Sequence, residues 1–204
     1  RRVTISMHLN IHLQETVKEI IPEGNFYRLV TSKGKYRTKY IILATGFSDI
    51  PIKMNVTGED LPKVAHYYKD PHFYAMQKVV VVGANNSAVD AALETFRKGA
   101  EVTMVIRGGE IGQRVKYWVR PDIENRIKEG NIKAYFYSTL AAIRPNEVDV
   151  LTPEAKVTIA NDTVIAMTGY QPNFEFLRSA GIHLSDDEKM KPIYDPATME
   201  SNQK

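Results

Sequence analysis

Lys78-Val79-Val80-Val81-Val82-Gly83-Ala84-Asn85-Asn86-Ser87-Ala88-Val89-Asp90 is the stretch from which the fold is read. Four consecutive β-branched residues suit a short strand buried on both faces of a parallel sheet. Val89, Leu93 and Phe96, with Ala92 between them, fall at helical spacing, and Lys98-Gly99 supplies a basic last turn and a glycine cap. The spacing predicts an amphipathic helix of about three turns. Glu101-Val102-Thr103-Met104-Val105-Ile106 then reads as a second strand. From Lys78 to Ile106 the length is close to the roughly 30 residues of a βαβ unit, with the usual right-handed crossover.

Downstream, Val119, Ile123 and Ile127 repeat every fourth residue up to Gly130-Asn131 and predict a second helix. Strands are expected at Val148 to Leu151, Lys156 to Ile159 and Thr163 to Met167, the last running into Thr168-Gly169-Tyr170-Gln171-Pro172. Upstream, Leu9 to Leu13, Val17 to Ile21 and Phe26 to Val30 read as a β-meander feeding a buried strand, Tyr40 to Ala44, which ends at Thr45-Gly46-Phe47. Pro51 marks the start of a linker. A Rossmann-like core is expected from about Met54 to Tyr170, and the tail from Asp195 is read as loose.

Composition excludes several classes. The 204 residues are 43% hydrophobic and 25% charged, which is globular and neither collagen-like, coiled-coil nor disordered. Twenty-seven Lys and Arg against 24 Asp and Glu leave +3, too even a balance to imply a nucleic-acid or membrane-surface partner. No apolar run approaches the roughly 18 residues of a membrane span, so a cytoplasmic protein is expected. Zero cysteines remove disulfides, a CxxC pair and thiolate metal sites from these residues. His8, His12, His66, His72 and His183 show no carboxylate-backed helical pair, and no metal is assigned. A G-x-S-x-G elbow and a Walker A sequence are both absent. Lys116-Tyr117-Trp118-Val119-Arg120 interleaves bases and aromatics, but one pentapeptide in a near-neutral chain reads as a helix packing Trp118 and Val119 inward.

The chemistry-bearing candidate is Gly83 to Ala88, a glycine turn between a buried strand and a helix N-terminus. Backbone N–H groups and the helix dipole receive a pyrophosphate there. In the G-x-G-x-x-G/A fingerprint the first glycine makes the turn, the second admits the pyrophosphate and the third position needs a small residue. Gly83 and Ala88 fit; Asn85 stands where the second glycine belongs, and its side chain takes up space the pyrophosphate would approach. Ala84, Asn86 and Ser87 complete the turn. An NAD site ends its second strand in Asp or Glu, whereas here Arg107 follows Ile106. A guanidinium suits the 2′-phosphate that a carboxylate would repel, so Arg107 favours NADPH over NADH. Arg114 and Lys116 are read as solvated surface charges.

In order along the chain, Leu43-Ala44-Thr45-Gly46-Phe47, Gly58-Glu59-Asp60-Leu61-Pro62, Val79 to Asp90 and Val115 to Pro121 resemble a thioredoxin-reductase-like flavoprotein with two dinucleotide-binding domains. The likeness is nearest to the bacillithiol-disulfide-reductase-type members. The resemblance implies an α/β fold in which residues 1 to 50 belong to an FAD domain, 51 to 170 form an inserted Rossmann-like NADPH domain with helices on both faces of a parallel sheet plus a β-meander, and 171 to 204 return to the FAD domain. Segments 1 to 50 and 171 to 204 should then meet in space. It also implies cofactor contacts at Gly83 to Ala88 and Arg107, and at the two Thr-Gly turns, Thr45-Gly46 and Thr168-Gly169. The implied reaction passes hydride from NADPH to FAD and electrons onward to a small-molecule, bacillithiol-like disulfide, in a redox-homeostasis enzyme that forms a homo-oligomer.

Departures from the family are informative. Its N-terminal FAD fingerprint and its C-terminal flavin-closing segment have no counterpart here, so the chain is read as an internal fragment, inactive alone and without bound FAD. No catalytic residue is assigned, because the reactive cysteine of bacillithiol-type members is expected beside the FAD fingerprint. Thioredoxin reduction through a CxxC pair in the NADPH domain is excluded. Two rival readings are a flavin-containing monooxygenase, whose F-x-G-x-x-x-H linker is broken by Asp60 and Pro62 before His66, and a non-catalytic NADPH-binding module.

Overall fold

The computed structural model describes residues 6–203. In chain order the elements are β1 (Val17–Glu23), β2 (Phe26–Thr31), β3 (Lys35–Thr38), β4 (Ile50–Pro51), β5 (Val64–Ala65), β6 (Lys78–Val82), α1 (Asn86–Arg97), β7 (Glu101–Val105), α2 (Arg120–Lys128), β8 (Lys133–Tyr135), β9 (Thr139–Arg144), β10 (Glu147–Leu151), β11 (Lys156–Ala160), β12 (Thr163–Ala166), β13 (Tyr170–Gln171) and α3 (Phe174–Ser179). The chain divides into two compact units, one comprising Pro51–Tyr170 and the other the residues before and after it. β4 and β13 carry the chain across the division.

Within Pro51–Tyr170 a five-stranded parallel sheet runs in the order β5-β12-β6-β7-β8. Val79 pairs with Val102 and Val81 with Met104, so the strands on either side of α1 are parallel neighbours. The two-residue period of a strand divides the valine run between two cores. Val79 and Val81, with Val102, Met104, Ile106 and Ile165, pack under Ala88, Val89, Ala92 and Leu93 of α1 and Ile123 of α2. Val80, Val105 and Val164 face the other way, onto Leu140, Ile143, Val148 and Val150. Those residues belong to β9 and β10 of an antiparallel sheet ordered β11-β10-β9.

The α/β class with a parallel sheet is as read, but the layering differs in one respect. Both α1 and α2 cover one face, and a three-stranded antiparallel sheet, not a helix, covers the opposite one. A sheet face needs an apolar lid, and the alternating inward residues of β9 and β10 supply it as well as a helix stripe does. Ends also agree with their signals: Gly99 and Gly130 adopt φ of +86° and +76° just past α1 and α2. β8 and β9 were not foreseen: β8 is only three residues long, and both mix polar with apolar residues.

In the other unit β1, β2 and β3 form an antiparallel meander. Ile20 of β1 shares a small core with Leu177, Ala180 and Ile182, so the segments before and after the central unit meet. Asn173 caps α3 by accepting the Phe176 N–H at 2.9 Å. Two expected strands do not form: Leu9 to Leu13 and Tyr40 to Ala44 belong to no sheet among the described residues. Tyr40 and Ile42 are 83% and 91% exposed, the reverse of a buried strand. Apolar composition permits a strand, but only neighbouring backbone can pair its N–H and C=O groups, and none pairs as a strand with these runs among the described residues. Nor is the C-terminal tail loose, since Asp195 N–H donates to the Glu200 carbonyl and the Asn202 and Gln203 side chains donate to the Gly181 carbonyl.

Candidate dinucleotide site

The parallel strands β6, β7 and β12 end side by side, and the residues just beyond them form the candidate site. Gly83 has φ +126°, open to glycine and costly for any other residue. A β-carbon there would stand 2.6 Å from the Met167 carbonyl oxygen and 3.2 Å from the Ala88 methyl. Turn, strand β12 and helix α1 therefore approach as closely as a phosphate turn requires. Ala88 is 1% exposed, the small residue that lets α1 pack against the sheet.

Asn85 occupies the cap position of α1 in extended conformation, φ −94° and ψ −176°, and its side chain makes no capping bond. The first intrahelical bond runs from Val89 N–H to Asn85 C=O at 3.0 Å. The amides of Asn86, Ser87 and Ala88 precede it and are left for an outside partner. The first turn of α1 holds no acidic residue to meet them. An uncapped, carboxylate-free N-terminus behind a glycine turn is what a nicotinamide dinucleotide's pyrophosphate needs, so the residues present fit that cofactor.

Arg107 lies one residue beyond Ile106 at the end of β7, exposed, with no side-chain hydrogen bond or ion pair among the described residues. Lys116 is instead engaged by Asp90 at 3.4 Å. At the end of β12, the Thr168 hydroxyl donates to the Ile52 carbonyl at 2.6 Å and Ile52 N–H donates to the Gly169 carbonyl at 3.0 Å. Those two bonds staple the entry of the unit to its exit, which gives Thr168 and Gly169 a structural task. Thr45 and Gly46 belong to the other unit, where both are exposed and Gly46 has φ +73°. Within the central unit the structure thus gathers Gly83 to Ala88, Arg107, Thr168 and Gly169 at the carboxyl ends of neighbouring strands, while Thr45 and Gly46 belong to the other unit.

Trp118 corrects an expectation. It is 65% exposed and meets Tyr117, 82% exposed, edge to face at 4.9 Å; only Val119 packs inward. α2 starts at Arg120, so the helical spacing that would have turned Trp118 inward does not yet apply at that position. The Gly58-Glu59 stretch also finds a physical role. Glu59 is 6% exposed and accepts the N–H groups of Met54 and Asn55 at 2.8 and 2.7 Å, fixing the first turn of the unit. Behind α1, Tyr68 donates to Glu94 at 2.6 Å, and burial together with that carboxylate pushes its phenol well above the ordinary range.

A family model described as pyridine nucleotide-disulphide oxidoreductase matches residues 1–204. The chain belongs to that family. It is 44% identical over 181 residues to the bacilliredoxin reductase Bdr of Bacillus subtilis (strain 168), an alignment covering 88% of this chain and 56% of that protein. Among solved structures, the bacillithiol disulfide reductase Bdr of Staphylococcus aureus superposes with a TM-score of 0.95 at 35% identity, covering 100% of this chain and 63% of the other. Lactococcus lactis thioredoxin reductase shares the fold, with a TM-score of 0.74 at 24% identity over 91% of this chain and 61% of that one. The chain therefore spans about three fifths of the length of the family members it matches. Among the described residues no helix is long and apolar enough to cross a membrane.

Sequence reasoning placed Asn86 in the turn but missed what its side chain holds, and passed over Gly112. Asn86 donates to the Arg114 carbonyl at 2.9 Å and accepts the Lys116 N–H at 3.0 Å, while Gly112 N–H donates to the Ala84 carbonyl at 2.8 Å. Their partners lie about 30 positions away in the chain, beyond the reach of any local pattern, and the glycine itself was the one available signal.

Proposed function

We propose that Pro51–Tyr170 is the NADPH-binding domain of an FAD-dependent disulfide reductase, that the flanking unit is part of its FAD domain, and that the whole enzyme reduces a low-molecular-weight, bacillithiol-like disulfide. The observation that carries this reading is the glycine turn at Gly83 leading into the uncapped N-terminus of α1, in a chain 44% identical to a bacilliredoxin reductase. Overall, NADPH, a proton and one disulfide yield NADP+ and two thiols.

When bound, NADPH supplies a hydride and the flavin relays its electron pair to the disulfide. What this chain's residues contribute is placement. Gly83 removes the side chain that would hold the dinucleotide off the sheet edge, and the α1 amides bond the pyrophosphate oxygens. Arg107 pairs with the 2′-phosphate and so selects NADPH over NADH. The Thr168–Ile52 and Ile52–Gly169 bonds keep the domain's two chain crossings at a fixed spacing beside the nucleotide. The deciding experiment is rapid mixing of the flavin-loaded, full-length enzyme with NADPH. Bleaching of the flavin band, followed by its return on adding the disulfide of bacillithiol, is the expected result. A flavin that stays oxidised would leave only a nucleotide-binding module.

A further inference from the structure

The loop that follows Arg107 is fastened to the phosphate turn at three points: Gly112 N–H to Ala84 C=O at 2.8 Å, Asn86 Nδ2–H to Arg114 C=O at 2.9 Å, and Lys116 N–H to Asn86 Oδ1 at 3.0 Å. Asn86, the first residue of α1, thus spends both ends of its amide on the backbone of the loop. Gly112 closes the contact. A β-carbon on it would run into the Asn85 side chain and stand 2.9 Å from the Ala84 carbonyl oxygen. The loop is therefore seated on the residue that replaces the second fingerprint glycine, and a ligand meets the Asn85 side chain where a glycine would have offered bare backbone. A further group is then needed beside the α1 amides to hold the pyrophosphate. Arg114 is the cation whose backbone the brace fixes beside the helix N-terminus; it is exposed and has no ion pair among the described residues.

We propose that Asn86 is a positioning residue that holds Arg114 at the N-terminus of α1, where the guanidinium binds the dinucleotide's pyrophosphate in place of the lost glycine contact. This rests on the dinucleotide reading above and separates two cations by task. Arg107 answers to the 2′-phosphate and Arg114 to the phosphates that NADPH and NADH share.

The test is calorimetric titration of NADP+ and NAD+ into the chain carrying Asn86→Ala, Arg114→Met, or both, alongside the parent sequence. A charge-assisted contact corresponds to roughly a tenfold or greater loss of affinity. Arg114→Met should weaken both nucleotides about equally by roughly that factor with the melting temperature nearly unchanged, Arg114→Lys should recover part of it, and Asn86→Ala should match the loss of affinity while also lowering the melting temperature through its two lost bonds. In the double variant the loss should not exceed that of Arg114→Met alone, the non-additivity expected of residues acting as one unit. Should Asn86→Ala fail to fold, Arg114→Met alone still decides, because an exposed side chain leaves the fold intact. The proposal is overturned by unchanged binding in Arg114→Met, by a loss confined to NADP+, or by losses that multiply in the double variant. An unmodified chain that bound neither nucleotide would overturn this proposal together with the reading beneath it; normal binding unaffected by these substitutions would overturn this proposal alone.

Discussion

The carbonyl oxygen of Met167 faces the α-carbon of Gly83 so closely that a methyl group added to the glycine would lie 2.6 Å from it. The two residues close β12 and β6 at neighbouring strand ends. Gly83→Ala should therefore suffer twice, from the clash with main chain and from a φ of +126°. A loss of about 2 kcal/mol or more is expected, read as a lowered midpoint in urea. A midpoint within a few tenths of the parent's would mean that β12 shifts to accommodate the methyl.

Arg107→Ala should lower affinity for NADPH by roughly tenfold or more while leaving NADH nearly unchanged, the value of one charge-assisted contact. Titration of both nucleotides measures it. Equal losses would assign Arg107 to the fold or to the pyrophosphate.

The pattern around Gly83 was legible because its evidence is local. Valines, glycine, helical spacing and a cap follow one another within a single βαβ unit, and Arg107 needed only the end of β7 to be located. Tyr40 to Ala44 looks as apolar as the valine run yet stays exposed, because burial depends on strands supplied from elsewhere in the chain. Trp118 escaped for a related reason, since its orientation depends on the turn at which α2 begins. The Asn86 brace is tertiary, and nothing in the order of residues near position 86 announces a loop arriving at positions 114 to 116.

Asp149, buried on β10, is held by Arg144 through Nη1 and Nη2 at 2.9 and 2.6 Å and accepts the Thr158 hydroxyl at 2.8 Å. The Arg144 guanidinium, then the Thr158 hydroxyl, keep its carboxyl well below the usual range. A carboxyl lowered in the folded state adds stability that is fully present above its unfolded value, about 3.9, and is lost as pH falls below it. Asp149→Asn should reduce the melting temperature at pH 7 and flatten its fall between about pH 4 and pH 2. Parallel melting curves across that acid range would show that Asp149 is not what couples stability to pH.

Lys63 Nζ shares its three N–H groups among four acceptors, the carbonyls of Arg144, Pro145 and Asn161 and Asn161 Oδ1, at 2.8 to 3.1 Å. One cation thereby ties β5 to the β9–β10 and β11–β12 turns. Burial pulls its ammonium below the ordinary lysine value, and the bonds offset that desolvation. Lys63→Met keeps much of the side chain's bulk but strands the acceptors, at a cost of about 2 kcal/mol or more by chemical denaturation. A stability loss below roughly 0.5 kcal/mol would show that water replaces the ammonium at little cost.

The order β5-β12-β6-β7-β8 puts the last strand of the sheet to be synthesised between two that precede it. β6, α1 and β7 find one another through short chain closures, but Val80 receives its partner Val164 only after the intervening β9–β11 layer has been made. On the ribosome the apolar edge of β6 therefore waits unpaired while that layer is made. During that interval the edge is open to strands of other nascent chains, so aggregation during synthesis will depend on how soon β12 emerges and slots in.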